Sequence, residues 1–358
     1  MTWATDHSGI PFLVDHRLPD GTSLVASYVR RAYLFDGKRL QQVREEPTDD
    51  AALRTWERAD PFAAVRPFTD IAVHGASHAA RPTPSCIVRV AVGSAAVTVR
   101  VIGDRVVEQR AGRLMFSDAQ PFTRMPLDAS RAFGGAVKEP HDSDESGGDY
   151  LRDGSNDGYG RNLLGRGYEG IGVIRAGMQL PNTEFVGDGL TIERLQLATS
   201  WLSLPAPAHF GAIDLETFPR VAHWLPLEFD EETRAHITEV RLGWLDRAHV
   251  TANDVPRGLA FQGVHSPLGR QQLLGGEPIT IDGMHPERST VQGSVPTECP
   301  IIDVQLPGAR PRQLTGRLKS LLIEPERGLL FATWCGVIPV MAPYGEELAS
   351  ARIECAWR

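Results

Sequence analysis

The segment at residues 86–116 constrains the fold most strongly, because it consists almost entirely of short runs that are typical of β-strands. The runs CIVRVAV, AVTVRVI and VVEQR are rich in β-branched residues or alternate apolar with polar side chains, and RLMF follows Gly112 as a fourth run. Two glycine-first dipeptides separate the first three runs: Gly93-Ser94 and Gly103-Asp104. Such dipeptides suit the tight turns between antiparallel strands. We therefore predict a β-meander over this segment.

The last part of the sequence predicts more antiparallel structure. QLTGRLKSLLI and LLFATWCGVI flank the turn-forming residues 324–328, and this pattern predicts a second hairpin. ARIECAW, at 351–357, alternates apolar and polar side chains, which is typical of a half-buried strand. We expect this strand to pair into a sheet.

The composition supports a mainly β fold. Gly and Pro number 35 and 26 among the 358 residues, more than their average share of roughly 12%, and this favours a turn-rich chain over a helical bundle. Helical patterns are weak, since 49–59 has a capping Asp and helical spacing whereas 231–245 fits either period. We predict antiparallel, sandwich-like β-sheets with few short helices and long loops.

The segment 138–161 divides the chain. It is acidic, rich in glycine and nearly free of aliphatic residues, so it cannot form a hydrophobic core of its own. We interpret it as a surface loop between an N-terminal β lobe, 1–137, and a C-terminal β lobe, 162–358. A chain of 358 residues is long enough for one large domain or two such lobes.

The net charge argues against several classes of partner. It is -8 at pH 7, whereas a protein that binds nucleic acid or an anionic membrane needs a basic face. The N-terminus lacks a basic region followed by an apolar one, and no apolar run reaches the roughly 18 residues of a membrane span. We expect a cytoplasmic protein without a nucleic-acid or membrane partner. The cysteines are scattered without a C-x-x-C pair, which favours free thiols: Cys86, Cys299, Cys335 and Cys355.

Residues 165–170, GRGYEG, match the G-x-G-x-x-G pattern of dinucleotide-binding proteins. That pattern must follow a strand and open a helix, so that the helix N-terminus holds the pyrophosphate. Here the preceding residues are loop-like, and Gly172, Gly177 and Pro181 follow where a helix should run. We therefore expect no nucleotide cofactor.

The acidic segment contains DGSNDG, which resembles the start of a calcium-binding loop. Asp153, Ser155 and Asp157 stand at positions 1, 3 and 5, but position 12 is Leu164 instead of the glutamate that closes the coordination shell. A solvated acidic loop is the interpretation that the composition favours, and an irregular calcium site is the alternative.

No short pattern predicts a reaction centre. GASHA, at 75–79, departs from the nucleophile elbow G-x-S-x-G at its last residue, and its surroundings do not predict the required helix. His74 and His78 lie in a predicted strand and turn, which favours loop histidines over metal ligands. Glu184 is the best single carboxylate for glycoside chemistry, but a buried structural carboxylate is the favoured interpretation. We predict no catalytic residues and no metal ligands.

The stretch PFTRMPLDASRAFGG, at 121–135, combines two prolines, two arginines and a double glycine. The prolines favour extended backbone before them, so PFTRMPL is predicted to be an edge-like or irregular strand. Asp128 is predicted to cap a single turn, and Gly134-Gly135 to end it with positive φ, with Phe133 as a buried plug. The two arginines then need carboxylate partners. The local chemistry predicts a braced corner and not a reaction centre.

Several motifs together resemble a bacterial family of domains of unknown function, DUF2169, that is encoded beside type VI secretion genes. They occur in the family's order and roughly its spacing: DIAVHGASHA (70–79), VIGDRV (101–106), PFTRMPLDASRAFGG (121–135), NLLGRGY (162–168), LPNTEF (180–185) and RQQLLGGEPITIDGMHP (270–286). The resemblance implies a non-catalytic cytoplasmic adaptor or chaperone. Such a protein helps to load a toxic effector onto the secretion spike, often through a PAAR-like tip domain.

Within these motifs, nine residues are the candidates for a structural motif or for partner contacts: Arg124, Arg131, Phe133, Gly134, Gly135, Arg166, Tyr168, Asn182 and Glu184. We expect the three arginines to brace loops. Two alternatives stay open. One is an all-β hydrolase that acts on a carbohydrate or ester through Glu184 and the acidic loop, and the other is a structural tip component that assembles into symmetric oligomers.

Overall fold

A computed structural model describes most of the β-rich part of the chain. The described residues are 12–17, 23–35, 40–45, 69–135, 159, 162, 165–199, 203–210, 268, 271–342 and 344–358. The helices predicted at 49–59 and 231–245, and the calcium-like loop apart from residues 159 and 162, lie outside these ranges.

The described residues are mainly β-strand, as predicted. The strands are β1 (Phe12–Arg17), β2 (Ser23–Leu34), β3 (Gln41–Val43), β4 (Asp70–Val73), β5 (Ala76–Thr83), β6 (Ser85–Val92), β7 (Ala95–Ile102), β8 (Val107–Arg110), β9 (Arg113–Phe116), β10 (Phe122–Pro126), β11 (Phe133–Gly134), β12 (Arg166–Gly167), β13 (Thr183–Phe185), β14 (Pro278–Asp282), β15 (Thr290–Ser294), β16 (Pro300–Gln305), β17 (Arg312–Thr315), β18 (Arg317–Glu324), β19 (Leu329–Val340) and β20 (Arg352–Trp357). The described helices are short: α1 (Ile192–Gln196) and two 3-10 helices, Ala129–Arg131 and Gly345–Ser350.

The first large sheet has the strand order β1-β2-β19-β18-β4, with β3 also paired to β2. Its longest pairing joins β2 and β19 in register from Ser23 opposite Val340 to Leu34 opposite Leu329. β18 and β19 form the hairpin predicted around residues 324–328, which is confirmed. β4 alone in this sheet pairs in parallel, and it does so with β18.

The second large sheet has the order β13-β7-β6-β14-β15 and is antiparallel. Alternate valines of β6 and β7 are buried together with apolar residues of the first sheet in one continuous core. The two sheets approach closely, since a Cβ on Gly293 of β15 would lie 2.1 Å from the ring of Phe35. The predicted sandwich-like packing of antiparallel sheets is therefore confirmed.

The predicted meander over 86–116 is only partly correct. β6 and β7 form a hairpin across Gly93-Ser94, and β8 and β9 form another. Gly103-Asp104 does not join paired strands, because β8 pairs with β9 whereas β7 lies between β6 and β13. Gly103 instead permits a close backbone approach, since a Cβ there would lie 1.8 Å from the carbonyl oxygen of Gln120.

A third sheet, β17-β16-β20, packs on the same face of the first sheet as the second sheet does, because Val29 of its core lies directly opposite Trp334 of the first core. Its buried residues Ile302 and Val304 join Val25, Val29 and Ile338 in a second core. The strand predicted at 351–357 is thus confirmed, and its alternation places Ile353, Cys355 and Trp357 toward this core.

Both large sheets combine strands from either side of the acidic segment. The first contains β1 to β4 together with β18 and β19, and the second contains β6 and β7 together with β13 to β15. The lobe boundaries at 1–137 and 162–358 stay a prediction.

Candidate functional site

The stretch at 121–135, PFTRMPLDASRAFGG, starts with an irregular strand. Among the described strands, β10 pairs with β5 alone, and its register shifts between Phe122 and Arg124. Asp128 then caps the 3-10 helix, because its Oδ1 accepts from the backbone N–H of Ser130 at 2.9 Å and from the Ser130 hydroxyl at 2.6 Å. The predicted irregular strand and the predicted cap are both confirmed.

The double glycine lets two chain segments touch. Gly134 and Gly135 have φ values of 152° and 138°, the positive values that were predicted. A Cβ on Gly134 would lie 2.0 Å from the carbonyl oxygen of Asn162. In turn, Gly134 accepts a hydrogen bond from the N–H of Tyr168 at 3.0 Å, and the N–H of Gly135 donates to the carbonyl of Asn162 at 2.9 Å. Only glycine combines this backbone conformation with this close approach.

Aromatic rings fill the space beneath the glycines. Phe133 is only 1% exposed, as predicted for a buried plug. Its ring lies 5.1 Å from that of Tyr159 and 6.5 Å from that of Tyr168, both edge to face. The Tyr159 hydroxyl donates to the carbonyl of Pro205 at 2.9 Å, so the cluster also anchors the chain around residue 205.

Asn162 connects the two halves of the corner through its side chain. Its Nδ2 donates to the carbonyl of Ala129 at 2.7 Å and to that of Phe133 at 3.2 Å. The side chain therefore satisfies one backbone acceptor at the start of the 3-10 helix and another two residues after its end. We refer to residues 128–135 together with Tyr159, Asn162 and 165–168 as the corner.

A polar cluster around Asp104 braces the corner from outside. Arg131 Nη1 lies 3.0 Å from Asp104 Oδ1, Arg166 Nη1 lies 3.8 Å from the same oxygen, and Asn182 Nδ2 donates to it at 3.0 Å. Arg131 also donates to Asn182 Oδ1 at 3.2 Å, and Arg166 Nε donates to the carbonyl of Ser130 at 2.9 Å. One carboxylate thus holds side chains from three separate segments. We call these four residues the Asp104 cluster.

The electrostatics of this cluster depend on that carboxylate. Burial and the nearby charge of Arg131 lower the pKa of the Arg166 guanidinium, whereas Asp104 and Asp128 act in the opposite direction. Two guanidinium groups that face each other repel, and the carboxylate between them compensates. Asp104 was not among the predicted site residues, because Gly103-Asp104 was expected to form a tight turn. The signal was present, because Asp104 lies within the VIGDRV motif.

Glu184 lies next to the Asp104 cluster but is buried. It is 5% exposed, and its carboxylate accepts from the Arg105 guanidinium. The Arg105 guanidinium also lies 5.3 Å from the centre of the Phe116 ring. Glu184 therefore has the structural, ion-paired environment that the sequence analysis favoured over a hydrolytic role.

Arg124 lies apart from the other candidate residues. It extends from β10 to the turn between β18 and β19, where Nε and Nη2 donate to Glu326 Oε1 and Oε2 at 3.1 and 3.4 Å. His78 Nε2 lies 2.6 Å from Glu326 Oε1. Burial tends to raise the pKa of Glu326, but the hydrogen bonds and charges of Arg124 and His78 together hold it below its ordinary value.

The described residues contain neither a metal-binding cluster nor a membrane-spanning helix. No group of three or more His, Cys, Asp or Glu side chains among them is arranged to hold a metal ion. The described α-helix has 5 residues, and none of the described helices has the length and apolarity of a membrane span. What the corner can do is fix the relative positions of β10, β12, β13 and the loop after β7.

Comparisons with known proteins give one match. Neither a curated protein nor a solved structure matches the chain. The sequence model of a family described as "Uncharacterized protein conserved in bacteria (DUF2169)" matches residues 25–335. This range includes most of both large sheets, the whole corner and the Asp104 cluster. The chain belongs to the DUF2169 family of bacterial proteins.

Proposed function

We propose that this protein is a non-catalytic adaptor that binds a type VI secretion effector, or the effector's PAAR-like tip domain, and helps to load it onto the spike. One observation carries the proposal. Polar residues of the motifs that resemble the adaptor family pair with other residues of the same chain: Arg131, Arg166 and Asn182 with Asp104, Glu184 with Arg105, and Arg124 with Glu326. Side chains that are paired in this way fix the positions of the segments that carry them, and so they fix the shape of the surface.

A fixed surface suits an adaptor. Association orders side chains and loops at an interface, and this lowers affinity unless the surface is already ordered. The corner reduces that loss, because backbone hydrogen bonds join Gly134 and Gly135 to Tyr168 and Asn162, and side-chain bonds join three segments at Asp104. Stable interfaces bury about 1,200–2,000 Å² in total. The two largest described sheets have six and five strands, and we expect their exposed faces to supply such an area.

The proposal is tested by binding. The full chain should bind the effector or PAAR-like protein that is encoded next to it, measured by isothermal titration calorimetry and by co-elution in size-exclusion chromatography. The matched control is an effector of similar size from an unlinked gene cluster, which should not bind. If no linked effector or tip protein binds, the adaptor function is wrong.

Light scattering on the same samples separates an adaptor from a structural tip component. An adaptor gives a defined complex whose mass equals the sum of its partners. A tip component assembles into a symmetric oligomer in the absence of any partner. Self-assembly of the isolated chain into such an oligomer would contradict our proposal.

A further inference from the structure

The outer face of the second sheet carries exposed arginine and aliphatic side chains side by side. On β6, Ile87 is 50% exposed, and Arg89 is also exposed. On β7, the exposed Arg100 lies directly opposite Ile87, and Thr98 lies directly opposite Arg89. Directly opposite residues of antiparallel strands share one face of the sheet. Two guanidinium groups and an exposed isoleucine therefore adjoin one another on the face that points away from the core.

A second aliphatic side chain extends this group. Val186 follows β13 directly, donates its N–H to the carbonyl of Thr98 at 3.2 Å, and is 54% exposed. Thr98 thus has Val186 on one side and Arg89 on the other. We call Ile87, Arg89, Thr98, Arg100 and Val186 the outer patch.

The two arginines of the outer patch have no partner among the described residues. Neither Arg89 nor Arg100 makes a hydrogen bond or ion pair with any residue in the part of the chain that the structure describes. The carboxylates directly opposite them in the neighbouring strands have other hydrogen-bond or ion-pair partners. Asp282, opposite Arg89, accepts from the Thr290 hydroxyl at 2.7 Å. Glu184, opposite Arg100, is paired with Arg105.

We propose that the outer patch binds an extended acidic segment of a protein partner, with carboxylates that meet Arg89 and Arg100 and apolar side chains that cover Ile87 and Val186. The inference rests on the proposed adaptor function and identifies the surface by which the adaptor binds its partner. Charge complementarity selects the partner's chemistry, because unpaired guanidinium groups form bidentate hydrogen bonds with carboxylates. The five residues of the patch carry two positive charges and no negative charge, on a chain whose net charge is -8. Arginine beside apolar area is also typical of residues that dominate binding energy.

The direct test uses a synthetic peptide of the pattern Glu-Thr-Val-Thr-Glu-Thr-Val. In an extended chain, alternate side chains point the same way, so this peptide presents glutamate and valine on one face. We expect binding to the full chain with shifts of the Ile87 and Val186 methyl resonances in NMR spectra. Binding should weaken with added salt, because exposed charge pairs are screened. The same peptide with lysine in place of glutamate should not bind.

Variants locate the interaction. Arg89→Glu with Arg100→Glu should weaken peptide binding by roughly tenfold or more, because hot-spot arginines contribute at that level. Arg89→Lys with Arg100→Lys should lose less, since it keeps the charges but not the bidentate geometry. The matched control is Arg312→Glu with Arg352→Glu, two exposed arginines on strands of the third sheet. The melting temperature of each variant is measured alongside, and the peptide is titrated well below it, so that a folding defect is not mistaken for a loss of binding.

The outcomes separate this inference from the proposed function. If the peptide fails to bind, if it leaves both methyl resonances unmoved, or if the Glu variant binds it equally well, the outer patch is not the site. A linked effector that binds the Glu variant as tightly as the wild type overturns the patch and leaves the adaptor function standing. Peptide binding at the patch without binding of any linked effector supports the patch and contradicts the adaptor function.

Discussion

The Arg105 guanidinium donates to the carboxylate of Glu184, and only 12% and 6% of the two side chains are exposed. The residues lie 79 positions apart, so the pair joins the loop after β7 to β13. A buried pair of this kind contributes little beyond a well-packed apolar pair, but either member alone is an uncompensated buried charge.

Removing Arg105 should therefore destabilise the protein strongly. Arg105→Met leaves the Glu184 carboxylate buried without its cation, and the free energy of unfolding should fall by about 3–5 kcal/mol. The double variant Arg105→Met with Glu184→Leu should recover much of this loss, because both charges are then gone. Urea unfolding measures each variant. A double variant no more stable than Arg105→Met would contradict the pairing.

Gly134 should not tolerate a side chain. Gly134→Ala places a Cβ 2.0 Å from the carbonyl oxygen of Asn162, at a φ of +152°. The contact forces the two segments apart, and we expect a loss of about 3 kcal/mol or more, as for other strained or overpacked sites.

The control for this prediction is Gly112→Ala in the β8–β9 turn. Gly112 also has a positive φ, +77°, but a Cβ there meets nothing within 4 Å. Only the backbone strain of about 1–2 kcal/mol should appear. Equal losses in thermal or urea unfolding for the two alanine variants would show that the close approach at Gly134 has no energetic weight.

Asp104→Asn should lower the free energy of unfolding by less than the changes at Arg105 and Gly134. The carboxylate is 57% exposed, so its pairs with Arg131 and Arg166 are solvent-screened. We expect a loss of about 1 kcal/mol at low ionic strength. The loss should shrink in high salt, where exposed charges interact weakly. Asp118→Asn, at an exposed aspartate in the same loop region, should leave the urea midpoint unchanged.

Local patterns in the sequence were sufficient to predict much of the sheet structure. β-branched alternation identified β6, β7 and β20, and the turn at 324–328 identified the hairpin of β18 and β19. The Asp128 cap was also predictable, because its partner Ser130 is only two residues away. Each of these features depends on neighbours along the chain.

The side-chain pairings that shape the site could not be predicted from such local patterns. Asn182 contacts Asp104 across 78 residues, and Arg124 contacts Glu326 across 202. The Gly103-Asp104 dipeptide has the composition of a tight turn, yet its glycine serves a close backbone approach to Gln120. Tertiary packing decided these cases, and a single sequence carries no measure of it.

Acid should weaken the contact of Glu326 with Arg124 and His78. The pKa of Glu326 is held below its ordinary value in the folded protein. A depressed carboxyl pKa stabilises the fold fully above the unfolded pKa of about 4.3, and the contribution is lost as pH falls through the folded pKa. Glu326→Gln should therefore reduce the fall in stability below about pH 4.3.

Urea unfolding at a series of pH values measures this effect. The control is Glu346→Gln, at an exposed glutamate in the 3-10 helix Gly345–Ser350. It should keep the wild-type pH dependence. If Glu326→Gln and the wild type lose stability in parallel on acidification, Glu326 does not contribute to the acid response.

Of two adjacent leucines in the motif at 270–286, truncation of the first should destabilise the protein, and truncation of the second should have little effect. Leu273 is 1% exposed, and its N–H donates to the Thr69 hydroxyl at 3.1 Å, whereas Leu274 is 85% exposed. Leu273→Ala should lower the free energy of unfolding by about 2–5 kcal/mol through the cavity it leaves. Leu274→Ala should stay within about 0.5 kcal/mol of the wild type, because its side chain gains little burial on folding.

The backbone conformation of the loop that contains Leu273 and Leu274 should stay the same in both variants. The Glu277 carboxylate accepts from the N–H of Leu274 at 2.7 Å and from that of Gly275 at 2.8 Å, so backbone contacts hold Leu274 in place. Urea unfolding of the two alanine variants, side by side, is the measurement. A large loss for Leu274→Ala would show that this side chain packs against the protein in solution, and a small loss for Leu273→Ala would contradict the core that joins the loop to the sandwich.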